Sequence, residues 1–236
     1  MGGILTIPGL AAQPGLVHGF STLALGSMRG PAPDGTPLTP ERRVFAETLG
    51  LDPARLTASG AVHGAAVARV DGPAGVVRGH DALVTDRPGL PLLATYADCC
   101  PVLLFDPGRR ALALVHAGWR GTAAGVARAA VDALVREYGC RPADLVAGLG
   151  PGICGVCYEV GEEVAAAFEP ECLRPSANPG RRLLDLPAAN RRQLESAGVP
   201  AGRIEVHGAC TRERADLPSH RRAPDGARFA CLAAIR

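Results

Sequence analysis

Two apolar runs face each other across a Pro-Gly turn near the middle of the chain, and no other stretch constrains the fold as tightly. Pro101-Val-Leu-Leu-Phe-Asp106 leads through Pro107-Gly-Arg-Arg110 into Ala111-Leu-Ala-Leu-Val-His116. The pattern predicts a β-hairpin. Half-buried strands alternate apolar and polar residues, whereas these two are apolar at successive positions, which predicts strands covered on both faces. If Asp106 pairs with Ala111, Pro101 falls opposite His116 and Cys99 opposite Gly118. Cys99 and His116 then become diagonal neighbours on one face at the open end of the hairpin, roughly 7–8 Å apart.

Similar short runs bounded by turn residues predict strands at 67–70, 82–85, 92–96, 145–149, 204–207 and 229–235. Helical spacing predicts helices at 40–49, capped by Thr39 and Gly50, and at 122–138, ended by Gly139. A short amphipathic helix is expected at 159–168 and another at 186–197, between Asp185 and Gly198. The Pro/Gly-rich stretches 30–40 and 174–182 read as surface loops. The mixture gives an α+β chain, mixed β-sheets packed with helices, in a single domain over residues 1–236.

All 25 basic residues are arginine. Schiff-base chemistry and a Walker-type phosphate loop both need lysine and are excluded, so an anion must be held by arginine or backbone amides. A net charge of +2 offers no concentrated basic stripe for nucleic acid. No apolar run reaches about 18 residues, so no membrane partner is expected. Residues 1–10 lack the basic start of a signal peptide, which points to a cytoplasmic protein. The eight cysteines are then expected as thiols rather than a disulfide framework. Cys154-Gly-Val-Cys157 has redox-motif spacing but no thioredoxin-like context, and no second Cys-x-x-Cys completes a zinc ribbon.

A thiolate and an imidazole converging at Cys99 and His116 suit a zinc ion. They equally suit a Cys–His nucleophile pair. Cys100 points to the other side of its strand and is expected to pack. Ala117-Gly-Trp-Arg-Gly121 leads into a helix whose N-terminus could attract a phosphate, with Arg120 adding a forked donor. Trp119 either stacks on a base or anchors the helix start. His18 and His80 read as structural or surface residues.

Val62-His-Gly64, Ala97-Asp-Cys-Cys-Pro-Val-Leu-Leu104, His116-Ala-Gly-Trp-Arg-Gly121 and Cys157-Tyr-Glu-Val-Gly161 are similar to motifs of the YfiH-type laccase-domain proteins. Shorter matches at 18–22, 81–85, 184–190, 210–211 and 219–222 extend the resemblance over nearly the whole chain. The chain departs from the family pattern at Ala61, Glu41-Arg42 and Val156. The resemblance implies a metal site of His63, Cys99 and His116, with zinc as the cofactor and copper as the alternative carried by the family's older name. It implies purine nucleosides and phosphate as partners, in phosphorolysis of adenosine, inosine, guanosine or methylthioadenosine and in deamination of adenosine. Cys99, Arg42 and Arg120 are the expected catalytic residues. Arg120, His220 and Arg221, with Arg42, are the expected phosphate clamp. Asp98 or Glu159 could shuttle a proton. Multicopper oxidation of phenols would need more than the six histidines present. A cysteine hydrolase acting on peptidoglycan fragments, with Cys99 as nucleophile, remains the other reading.

Overall fold

The computed structural model describes residues 3–30 and 35–236. Residues 31–34 of the expected loop at 30–40, and the first two residues of the N-terminal stretch, lie outside the described residues.

The predicted hairpin is the centre of the molecule. Cys100–Asp106 and Ala111–Ala117 pair antiparallel, with Asp106 opposite Ala111 and Pro101 opposite His116. The Asp106 carboxylate caps the turn by accepting the backbone N–H groups of Gly108 and Arg109, each at 2.9 Å. The hairpin lies within a six-stranded sheet in the order Ile204–Val206, Val146–Leu149, Cys100–Asp106, Ala111–Ala117, Ala82–Thr85, Val67–Arg69. A second six-stranded sheet runs Ile4–Leu5, Leu16–Ser21, Phe229–Ile235, Leu92–Tyr96, Thr57–Gly60, Gly75–Arg78.

The two sheets pack face to face, with helices on both outer faces. Leu103, Phe105, Leu112 and Leu114 of the hairpin meet Tyr96, Phe229, Cys231 and Ile235 between the sheets. Val102, Leu104, Ala113 and Val115, one residue out of phase, pack against Val126, Ala130 and Leu134 of the helix Val126–Tyr138. Ala230, Leu232 and Ala234 similarly face Phe45 and Ala46 of the helix Pro40–Thr48. Period-two alternation with a covered surface on each side produces the continuous apolar runs.

Three expectations need correction. The helix expected at 122–138 is two helices, Trp119–Ala123 and Val126–Tyr138, because Gly125 takes a left-handed φ of +82°. The segment 159–168 is not one helix: Glu159–Gly161 is a strand, followed by the single turn Glu162–Ala165. The loop expected at 174–182 includes strand residues, since Leu173–Pro175 and Arg181–Leu184 form a hairpin that joins Glu159–Gly161 in a small third sheet. No helix among the described residues is long and apolar enough to cross a membrane.

Candidate active site

At the open end of the hairpin, Cys99 precedes the strand that begins at Cys100. Cys100 is fully buried against the helix side, as strand alternation requires, while Cys99 contacts the cluster between the sheets. The residue before it, Asp98, has a left-handed φ of +80°. That conformation is held by two donors to its carboxylate, the Thr211 hydroxyl at 2.6 Å and the Arg221 N–H at 2.7 Å.

A third side chain joins Cys99 and His116 from a distant loop. His63 lies between Thr57–Gly60 and Val67–Arg69, with φ +64°. The carboxylate of Asp81, fully buried at the start of Ala82–Thr85, fastens this loop. Its oxygens accept the N–H groups of Val62, His63 and Gly64 at 3.0, 2.9 and 2.8 Å. The same carboxylate lies 2.9 Å from His116 Nδ1, fixing that ring so that Nε2 faces the cysteine. Asp81 thus sets two of the three side chains at once. Its motif was visible in the sequence, but its role depends on a loop that no local spacing rule places beside it.

The donor atoms of His63, Cys99 and His116 all lie within 4.8 Å of one another. Burial pushes the Cys99 thiol up, but the neighbouring His116 and His63 together outweigh burial and bring it to about 6. His116 shows the converse: burial lowers it, and Cys99 and Asp81 together raise it to about 9. Two nitrogens and one sulfur this close fit a zinc ion, whose ligand bonds of about 2.0–2.3 Å span such a triangle with little movement. The Asp81–His116 pair is the carboxylate–histidine arrangement that orients metal-binding imidazoles. Gly118 gives the group room, since a Cβ there would sit 2.9 Å from both Cys99 Sγ and His63 Cδ2.

These side chains floor an open pocket of about 1000 Å³. Arg42, Arg78, Arg120, Arg221 and Arg228 line it, whereas Asp98 is its only carboxylate among the described residues. Trp119 and Tyr158 add aromatic walls. The Arg120 guanidinium lies over Trp119, 4.3 Å from the ring centroid, and Arg221 lies over Tyr158 at 5.0 Å. His220 is exposed at the rim. Arg42 also borders the pocket, but it is 4% exposed and its nitrogens donate to the carbonyls of Met28 and Pro37. Glu159 does not line the pocket; its carboxylate accepts from Ser176 and Asn178. The helix after Gly118 has only five residues, too short to contribute a large dipole. His18 and His80 lie outside the pocket: His18 accepts the Ile7 N–H at 2.9 Å, and His80 Nδ1 lies 2.9 Å from the Arg78 carbonyl.

Residues 18–236 match the family described as multi-copper polyphenol oxidoreductase laccase. A purine nucleoside phosphorylase of Deinococcus radiodurans is 40% identical, the match covering 92% of this chain and 90% of that protein. An adenosine deaminase from an unknown prokaryotic organism is 39% identical over 61% of this chain and 56% of its own length. The crystal structure of YlmD from Geobacillus stearothermophilus superposes with a TM-score of 0.89 at 32% identity, covering 99% of this chain and 96% of that one.

Proposed function

This chain belongs to the multi-copper polyphenol oxidoreductase laccase family, and from that premise and the site geometry we propose that it is a zinc-dependent purine nucleoside enzyme. In this reading it catalyses phosphorolysis of adenosine, inosine, guanosine or methylthioadenosine, and deamination of adenosine. The observation that carries the reading is a two-nitrogen, one-sulfur donor set at the floor of a pocket lined by five arginines. The names of its relatives supply the substrate class.

His63, Cys99 and His116 would hold the zinc, which when bound supplies a Lewis acid and lowers the pKa of water at an open position. Asp81 keeps the His116 ring oriented through Nδ1. Arg120 and Arg221 would clamp phosphate, with His220 at the rim; the forked guanidinium suits paired oxygens. Trp119 and Tyr158 lie beneath Arg120 and Arg221, so a purine would meet these rings once the guanidiniums turn toward phosphate. Arg42, engaged with Met28 and Pro37, would hold the pocket edge in place rather than bind phosphate. Asp98 is the one carboxylate in the pocket that could move a proton, and its bonds to Thr211 and Arg221 fix its direction.

The test is turnover of inosine with phosphate, and of adenosine without it, by wild type and Cys99→Ala, alongside metal content. Zinc-dependent turnover lost in the variant supports the reading; wild type inactive on every nucleoside with zinc present refutes it. A second reading has its own support: Cys99, His116 and Asp81 are linked sulfur to imidazole to carboxylate, the order of a cysteine nucleophile, its base and the base's orienting acid. Turnover of a peptidoglycan fragment that survives chelation but not Cys99→Ala would favour it.

A further inference from the structure

A second group of metal-ligating side chains lies outside the candidate active site. The sulfurs of Cys154, Cys157 and Cys210 and a carboxylate oxygen of Glu213 all fall within 4.8 Å of one another. Glu213 Oε1 is 3.3 Å from Cys157 Sγ and 3.9 Å from Cys154 Sγ. Ligands at the corners of a tetrahedron around zinc, with bonds of about 2.3 Å, stand about 3.8 Å apart. The four side chains are therefore near ligating separation, and all three cysteines are thiols rather than disulfides.

Backbone hydrogen bonds hold the sulfurs together. Residues 154–157 form a tight turn, with the Cys157 N–H donating to the Cys154 carbonyl at 3.0 Å. The Cys210 sulfur accepts the Cys154 N–H at 3.4 Å. The Glu213 carboxylate meets the Cys154 and Cys157 sulfurs. The Arg212 guanidinium donates to the Cys157 carbonyl at 3.2 Å rather than to any of the four ligating atoms.

The cluster is also pre-organised. The Arg222 guanidinium donates to the carbonyls of Thr211, Arg212, Arg214 and Leu217 and holds the turn that carries Glu213. Gly152 and Cys210 form a parallel bridge, which brings the two chain segments together. The sequence showed one Cys-x-x-Cys and no second pair; the third sulfur comes from a residue 56 positions after Cys154.

We propose that Cys154, Cys157, Cys210 and Glu213 form a closed structural site for a thiophilic divalent cation, zinc in the first instance, that staples two loops of the active-site wall. Three sulfurs and a carboxylate complete tetrahedral coordination with no position left open, the mark of a structural rather than a catalytic zinc. The stapled loops carry Ile153 and Tyr158 on one side and lead to His220 and Arg221 on the other, all pocket residues. Thr211, next to Cys210, donates to Asp98, so the staple reaches the turn that presents Cys99.

Elemental analysis of the full chain tests this, using Cys99→Ala to remove the active-site donor set. Cys99→Ala is expected to retain about one zinc per chain, and adding Cys157→Ala to remove it. Cobalt loaded into Cys99→Ala should show intense near-ultraviolet sulfur-to-cobalt charge transfer, a readout that needs no change in the second cluster. About one zinc in both wild type and Cys99→Ala would support this site while counting against metal at the first. Metal-free Cys99→Ala with no sulfur-to-cobalt band overturns the proposal, as does a disulfide among Cys154, Cys157 and Cys210 in protein purified under reducing conditions.

Discussion

Asp81→Asn isolates the contribution of one buried carboxylate to the proposed metal site. Oδ1 serves His63 N–H and His116 Nδ1, each at 2.9 Å, while Oδ2 serves the Val62 and Gly64 N–H groups. An asparagine places an NH2 group against one of these pairs. If it faces Val62 and Gly64, two part-buried donors lose their acceptor. If it faces His116, the ring must accept at Nδ1 and carry its proton on Nε2, the nitrogen needed by the metal. A lost buried hydrogen bond costs about 1–3 kcal/mol, and a part-buried one less because water replaces the acceptor, so the stripped protein should lose about 2–3 kcal/mol of stability. Zinc affinity should fall about 10–100-fold, the usual effect of losing such an orienting partner. Urea unfolding of chelator-treated protein and competition with a zinc-binding dye give the two numbers. A stability change under about 1 kcal/mol with affinity within about twofold of wild type would show that the ring and loop are held by something other than Asp81.

Gly118→Ala should fold but lose about tenfold in zinc affinity, because the new Cβ would lie 2.9 Å from both Cys99 Sγ and His63 Cδ2; full zinc content and unchanged affinity would contradict this. Arg120→Ala should raise the phosphate KM roughly tenfold or more, from loss of a charged hydrogen-bond donor; an unchanged KM removes Arg120 from the clamp. His18 should make stability acid-sensitive. Burial first, and then His207, lower its pKa from 6.5 to about 4, and the neutral ring accepts the Ile7 N–H. The unfolded chain therefore binds the proton first, so the contribution is whole above the ordinary value and is lost as pH falls toward 4. At about 1.4 kcal/mol per pH unit this amounts to about 3 kcal/mol, and urea midpoints of wild type and His18→Gln across that range should diverge as pH changes.

The parts of this molecule that were legible in the sequence rest on local rules. Hairpin register follows from a turn and two runs of equal length, so the Asp106–Ala111 pairing carried Cys99 and His116 to one end correctly. Strand alternation likewise put Cys100 on the helix side. Elements that depend on distant partners were misread. Glu159–Gly161 has helix-compatible residues, yet it pairs with Arg181–Leu184, an interaction with no local trace. Leu16–Ser21 and Thr57–Gly60 were missed because neither is a continuous apolar run: His18, Gly19 and Ser21 break one, and Ser59 and Gly60 the other, so pairing with Phe229–Ile235 and with Gly75–Arg78 and Leu92–Tyr96 defines them. The break at Gly125 was masked by helical spacing that continues through it.

The same division explains the two clusters of ligating side chains. Each begins with a short-range pair, Cys99 with His116 in one hairpin and Cys154 with Cys157 in one turn, and each gains a further donor only through the fold. Asp81 draws in His63 by binding three successive N–H groups. The Gly152–Cys210 bridge, with Arg222 gripping the following turn, draws in Cys210 and Glu213. In both cases the late arrival is fixed by hydrogen bonds rather than apolar packing, part-buried around Asp81 and part-buried to exposed around Arg222, which gives direction as well as proximity. Because Thr211 links the second cluster to Asp98, and Asp98 precedes Cys99, a change in one should be felt as altered geometry in the other.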